Sequence, residues 1–341
     1  MSRNRVQLPM RNTARSILTA ASLIAALVPI AGCMGGVSGN DPPAPPDPPA
    51  QTGKTSAISD LLCLRKMSLD LTHRSPTSED MARLERGEMT LETLADQYLA
   101  SPDFSAVAFN WMRQEFPPTA LTTAQTDIEE PARLMQHVLL DDKDWREILT
   151  ATYTVDAAGA THEITDRPAA GILSTRYSLQ STVGSFRRNW AGRFERQFVG
   201  ITLVAVTLPP GDMTDVSPDG LASNPNCAGC HVHPTYGIDS LAKFAACYDD
   251  TGARIAGCVD PDATFLLQAG RGLGDLGRIT ASTNEFKSQT VDFFFKRLFG
   301  RDLAREEAAF YSDAADLLAH SGFQARALIK HLVTSEAYCA R

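Results

Sequence analysis

The chain has 341 residues, 32 basic and 40 acidic side chains, a formal net charge of −8 and 43% hydrophobic content. An acidic balance of this kind argues against a nucleic-acid partner and against electrostatic adhesion to anionic lipid, since both present negative phosphate. The length left after the N-terminal region, about 285 residues, is ample for a buried core in one domain or in two or three closely packed ones.

Arg3, Arg5, Arg11 and Arg15 form a positive leader, Ile17 to Ala31 is uncharged and mostly apolar, and Ile30-Ala31-Gly32-Cys33 closes the stretch. The apolar run is shorter than the roughly 20 residues a membrane-spanning helix needs, so it reads as a secretory signal. Its last four residues resemble the lipobox of bacterial lipoproteins, which implies that residues 1–32 are removed and that Cys33 is acylated. The alternative is an ordinary signal peptide with an incidental cysteine. Cleavage there removes four arginines and no acid, leaving 28 basic against 40 acidic side chains and a net of −12. The predicted location is the periplasm or cell surface, with a lipid anchor in a membrane, the outer membrane being favoured.

Residues 33–55 carry Asp41-Pro-Pro-Ala-Pro-Pro-Asp-Pro-Pro and almost no apolar side chain. They read as a disordered, proline-rich tether, extended at about 3.1 Å per residue and so spanning roughly 40 to 60 Å.

From residue 57 the pattern is helical. Ile58, Leu61, Leu62, Leu64, Met67 and Leu69 suit a helix that ends near His73-Arg74-Ser75-Pro76, because proline biases the residue before it away from the helical region. Thr77-Ser78-Glu79-Asp80 supplies a hydroxyl cap and early acids for a second helical stretch through Leu84 to Leu99, and Ser101-Pro102-Asp103 opens a third. Residues 117–128 read as a loop, 129–152 as two short helices broken at Asp141-Asp142, and 153–171 as irregular. Phe186, Trp190, Phe194, Phe198 and Ile201 form an apolar helical stripe with Arg187, Arg188, Arg193 and Arg196 beside it. That arginine run is predicted to be a solvated face, with pairing to the carboxylates of a ligand as the minority reading. Three further helices are expected over 290–299, 303–320 and 323–333, and no alternating run is long enough to predict a sheet. The fold class expected is mainly α, a multi-helical body.

Cys227-Ala228-Gly229-Cys230-His231 is the informative pentapeptide. Two thiols three residues apart on one helical turn can add to the two vinyl groups of haem, and the adjacent histidine can reach the iron. The cofactor predicted is therefore one covalent haem c, held by Cys227, Cys230 and His231, with His231 as iron ligand. Three rivals use the same residues: a thioredoxin-like dithiol, a zinc site of Cys227, Cys230, His231 and His233, and a plain disulfide. Gly272-Leu-Gly274-Asp-Leu-Gly277 matches a dinucleotide fingerprint in letters only and is predicted to be a loop between helices. His73, His137 and His162 are assigned no role.

Of the seven cysteines, four remain after Cys33, Cys227 and Cys230. Cys247 and Cys258 close a short loop and are the expected disulfide, while Cys63 and Cys339 either join the two ends of the globular part or stay as buried thiols.

Leu69-Asp-Leu-Thr-His73-Arg-Ser-Pro-Thr77, Leu99-Ala-Ser-Pro102-Asp-Phe104 and Trp111 resemble the N-terminal helical module of the planctomycete-type c-type cytochrome proteins, a family of unknown function. Ala170 to Ser174, Arg193 to Gly200, Leu208-Pro-Pro210, the haem pentapeptide and Tyr236 to Gly252 are similar to its central haem module. Phe295 to Tyr338 is similar to its C-terminal helical module. After the haem histidine, His233-Pro234-Thr235-Tyr236-Gly237 is one residue shorter than the family pattern and lacks its aspartate. The organisation this implies is a helical module at 56–160, a small cytochrome c-like haem module at 161–275 and a helical module at 276–341.

Two ligand details complete the expectation. Pro234 ends the haem helix, so the Nδ1–H of His231 is predicted to donate to a backbone carbonyl between His233 and Tyr236, that of Pro234 being favoured by analogy with c-type cytochromes. For the sixth iron position no methionine follows Met213, which leaves Met213, an open or water-filled site, or one of His320 and His331. The function expected is electron transfer to an unidentified redox partner. A haem peroxidase or subunit of a larger oxidoreductase, and a scaffold with structural haem, are the alternatives.

Overall fold

The computed structural model describes residues 52–117, 126–180, 186–203 and 217–340, all within one unit of packing, Gln51–Arg341. Cys33, the proline-rich segment as far as residue 51 and Met213 lie outside the described residues, whereas residues 52–55, expected to be part of the disordered tether, are helical. The chain is mainly α, with 61% helix against 7% strand.

The first helices follow from their caps. Helix α1 (Thr52–Thr72) buries Cys63, Leu64, Met67 and Leu71 and stops where the Ser68 hydroxyl donates to the Arg74 carbonyl. Helix α2 (Ser78–Glu85) opens with a capping box: Thr77 Oγ1 accepts from the Asp80 amide, and the Asp80 carboxylate accepts from the Thr77 amide. Thr90 caps α3 (Leu91–Leu99), and Ser101 caps α4 (Pro102–Gln114) with proline at its first position. Helices α5 (Glu130–Leu140) and α6 (Glu147–Thr150) are separated at Asp141-Asp142, where Asp142 takes φ 53°.

The segment expected to be irregular contains a two-stranded antiparallel ribbon, β1 (Tyr153–Val155) with β2 (Thr161–Glu163), and then α7 (Arg176–Gln180). Helix α8 (Phe186–Phe198) carries the aromatic stripe, with Trp190, Phe194 and Phe198 buried. Short helices α9 (Pro218–Ser223), α10 (Pro225–His231) and α11 (Ile238–Ala242) follow, then a second ribbon of β3 (Asp262–Phe265) and β4 (Gln268–Arg271).

Gly272-Leu-Gly274-Asp-Leu-Gly277 is not a loop. It forms the first part of α12 (Gly272–Ala281), directly after β4. Glycine ordinarily weakens a helix by about 1 kcal/mol, and packing supplies the reason it is here. A Cβ on Gly277 would lie 2.2 Å from the Leu149 carbonyl oxygen of α6, so only glycine lets the two helices approach this closely. The strand before it is antiparallel to its neighbour, so no parallel β-α-β unit accompanies these glycines.

Helices α13 (Asn284–Phe299), α14 (Ala308–His320), α15 (Ala325–Val333) and α16 (Glu336–Cys339) close the fold. One hydrophobic cluster draws on all three of the segments delimited from sequence, from Cys63 and Leu64 through Trp190 and Phe244 to Phe294 and Tyr338. The two ends of the described chain meet in it. Lys66 Nζ sits 3.6 Å above the Tyr338 ring, the Tyr338 hydroxyl donates to Asp70, and Cys63 pairs with Cys339 with their Cα atoms 4.6 Å apart. Cys247 pairs with Cys258 at a Cα separation of 5.5 Å, as expected from the short loop between them. No helix among the described residues is long and apolar enough to cross a membrane.

Candidate haem site

Helix α10 begins at a local signal: the Asn224 side chain accepts from the Asn226 amide, and Pro225 occupies the first helical position. One turn then holds Cys227, Cys230 and His231. Both thiols are free and half-buried, whereas Cys63, Cys339, Cys247 and Cys258 are paired.

After Val232 the chain folds back sharply. The Gly237 amide donates to the His233 carbonyl at 2.8 Å, and a Cβ on Gly237 would meet that oxygen at 2.6 Å and the His231 carbonyl at 2.9 Å. Glycine is therefore required where α11 begins. The His233 ring stacks on Tyr236 with centroids 3.6 Å apart, and its Nδ1 accepts from the Thr235 amide, so it is engaged locally. Among the described residues no group of three or more His, Cys, Asp or Glu side chains is gathered to hold a metal ion, the four of the zinc reading included. A c-type haem asks less of the protein, since the porphyrin provides four iron ligands itself.

The expectation for His231 Nδ1 is corrected. Its neighbour is a side chain, Asp239 Oδ1 at 3.1 Å, rather than the Pro234 carbonyl or another in that loop. Two of the four carbonyls from His233 to Tyr236 already have donors, and Asp239 offers the ring a charged acceptor instead. The His233 carbonyl takes the Gly237 amide, and the Thr235 carbonyl takes the Leu266 amide at 2.7 Å. Asp239, in the first turn of α11, then stands below the imidazole. A carboxylate accepts only, so Nδ1 carries the proton and Nε2 keeps its lone pair for a metal.

Asp239 is also held by α8, which packs on α11. Arg188 Nε lies 2.5 Å from Asp239 Oδ1, and its Nη2 lies 3.3 Å from Oδ2. The arginine run is thus not one solvated face. Arg187 and Arg196 are exposed, but Arg188 turns to Asp239, and Arg193 donates to the Ser178 carbonyl with burial pushing its guanidinium down to about 10. On the same helix Glu195 is fully buried with neither carboxylate oxygen partnered, and desolvation pushes its carboxyl up to about 8.

Two large apolar side chains on neighbouring elements are exposed. Val232, next to His231, is 43% exposed, and Leu267, at the β3–β4 turn, is 72% exposed. Leu266 and Leu267 hold φ of 49° and 62°, a conformation that two-residue hairpin turns usually assign to Asn-Gly, and the Leu266 amide pins that turn to the loop after α10.

Of the remaining predicted ligands, the two histidines sit on the C-terminal helices. Met213 lies outside the described residues. His320 Nδ1 is 2.7 Å from the Asp316 carbonyl of its own helix, and His331 stacks on Phe310, with burial lowering its pKa. Their helices pack on each other and on α13, while α10 packs on α9 and α11. Sequence reasoning missed Asp239 and Glu195. An acid at 195 inside an apolar stripe was a visible signal, whereas Asp239 carries none.

Comparison of the chain with protein-family models, with curated proteins and with solved structures finds no match.

Proposed function

We propose that this protein carries one covalent haem c on Cys227 and Cys230, with His231 as an iron ligand, and transfers electrons outside the cytoplasm while tethered to a membrane through acylated Cys33. The observation that carries the reading is the turn Cys227–His231, whose thiols stay free while the other cysteines among the described residues are paired, and whose histidine presents Nε2 because Nδ1 is held. The haem supplies a one-electron Fe(III)/Fe(II) couple. The chain's part is to attach the ring through two thioethers, to orient the imidazole through Asp239, and to place the apolar side chain of Val232 next to the ligand. The resemblance of residues 60–340 to the planctomycete-type c-type cytochrome proteins supports the same reading. With a net of −12 after the signal, membrane association rests on lipid rather than on charge.

The test is expression of the full chain in a host with c-type haem assembly, followed by haem staining of a denaturing gel and optical spectra in both redox states. The wild type should stain, and the double variant Cys227→Ala/Cys230→Ala should not. An unstained wild type, or a fully stained double variant, ends the c-type reading. Cys33→Ser should move the protein to the soluble fraction, and continued sedimentation with membranes would place the anchor elsewhere.

A further inference from the structure

We infer that Asp239, clamped by Arg188, is the positioning residue of the haem site and sets a low reduction potential by giving His231 partial imidazolate character. The inference rests on the haem reading above and extends it to how the site is tuned.

Three elements converge on one hydrogen bond. His231 ends α10, Asp239 lies in the first turn of α11, and Arg188 reaches from α8, 51 residues earlier than Asp239. All three side chains are largely withdrawn from water, at 20%, 13% and 21% exposure. Hydrogen bonds to a charged acceptor are roughly twice as strong as neutral ones, and shielding from solvent strengthens them further. The carboxylate therefore draws the Nδ1 proton harder than a loop carbonyl would. Electron density at Nε2 rises, and an iron bound there is stabilised in its ferric state. Arg188 opposes this in part: its guanidinium neutralises the carboxylate and also fixes its orientation. The two residues thus act on the iron with opposite sign.

The experiment uses the full-length holoprotein, with haem staining and spectroelectrochemical titration of wild type, Asp239→Asn, Asp239→Glu and Arg188→Gln. Asp239→Asn keeps the shape and removes the charge. It should raise the ferrous-to-ferric ratio at fixed applied potential at least tenfold, an upward shift of about 59 mV for a one-electron couple. Asp239→Glu, which retains the carboxylate, should stay nearer the wild type than Asp239→Asn does. Arg188→Gln should move the potential downward. If Asp239→Asn does not accumulate as a folded protein, the other two variants still decide the matter by the sign and size of their shifts. Haem-stained variants whose potentials match the wild type, or that all move in one direction, overturn the inference while leaving the haem reading intact. An unstained wild type removes both.

Discussion

Glu195 should make this protein lose stability as pH rises, and a single isosteric change should abolish the effect. Its side chain is 0% exposed, both oxygens lack partners, and burial alone raises the carboxyl from 4.5 to about 8. In the unfolded chain the group releases its proton near its ordinary value. Between that value and about 8 the folded state holds one more proton than the unfolded state, so stability falls with increasing pH through this window. At about 1.4 kcal/mol per pH unit the cost reaches about 5 kcal/mol once the folded group is ionised. Glu195→Gln replaces the neutral acid by a neutral amide and removes the titration. Urea unfolding with the disulfides intact, followed by tryptophan fluorescence at several pH values, reads the difference. With a slope of about 3 kcal/mol per molar urea, the variant's midpoint should coincide with the wild type near pH 4 and exceed it by about 1.5 M above pH 8. Parallel midpoints for the two proteins from about pH 5 to 9 would refute the reasoning, because they would mean that the carboxyl finds solvent or a partner.

Two further outcomes rest on geometry. The Cys63–Cys339 disulfide closes 276 residues and Cys247–Cys258 closes 11. Chain entropy then gives ceilings of about 5.6 and about 2.8 kcal/mol. Cys63→Ser/Cys339→Ser should accordingly lower the thermal midpoint more than Cys247→Ser/Cys258→Ser does, and the reverse order would show that chain entropy does not govern these bridges. In α12, Gly277→Ala meets the Leu149 carbonyl at 2.2 Å and Gly274→Ala meets the Ala169 carbonyl at 3.4 Å. The first should destabilise by about 1–3 kcal/mol through overpacking, and the second should be neutral or gain up to about 1 kcal/mol of helix propensity. Equal effects of the two changes in a denaturant titration would contradict the close approach of α12 to α6.

Local chemistry was readable in the sequence because it depends on a few adjacent residues. The hydroxyl caps Thr77 and Ser101, the break at Asp141-Asp142, the aromatic stripe of α8 and the Cys247–Cys258 pair each follow from spacing within one or two turns, and each is present in the structure. The pentapeptide Cys227–His231 belongs with them, since its chemistry is contained in a single helical turn.

What required the tertiary structure is how distant segments share space and acceptors. Nothing adjacent to His231 marks Asp239 as its partner. Helix α11 brings that carboxylate to the ring, while the Gly237 and Leu266 amides take two of the loop carbonyls, and Leu266 is 31 positions beyond Thr235 in a hairpin that the pattern did not announce. Arg188 and Arg193 read as part of a charged face by periodicity, yet α11 and α7 offer them an aspartate and a carbonyl. The glycines of α12 disfavour a helix by local propensity, and the α6 backbone lying against Gly277 overrules that preference. Sequence by itself determined the helices, their caps and the pair of thiols beside a histidine, because those rest on near neighbours. The hydrogen bond that orients the histidine was decided by packing, because its donor, its acceptor and the groups competing for both come from four separate elements.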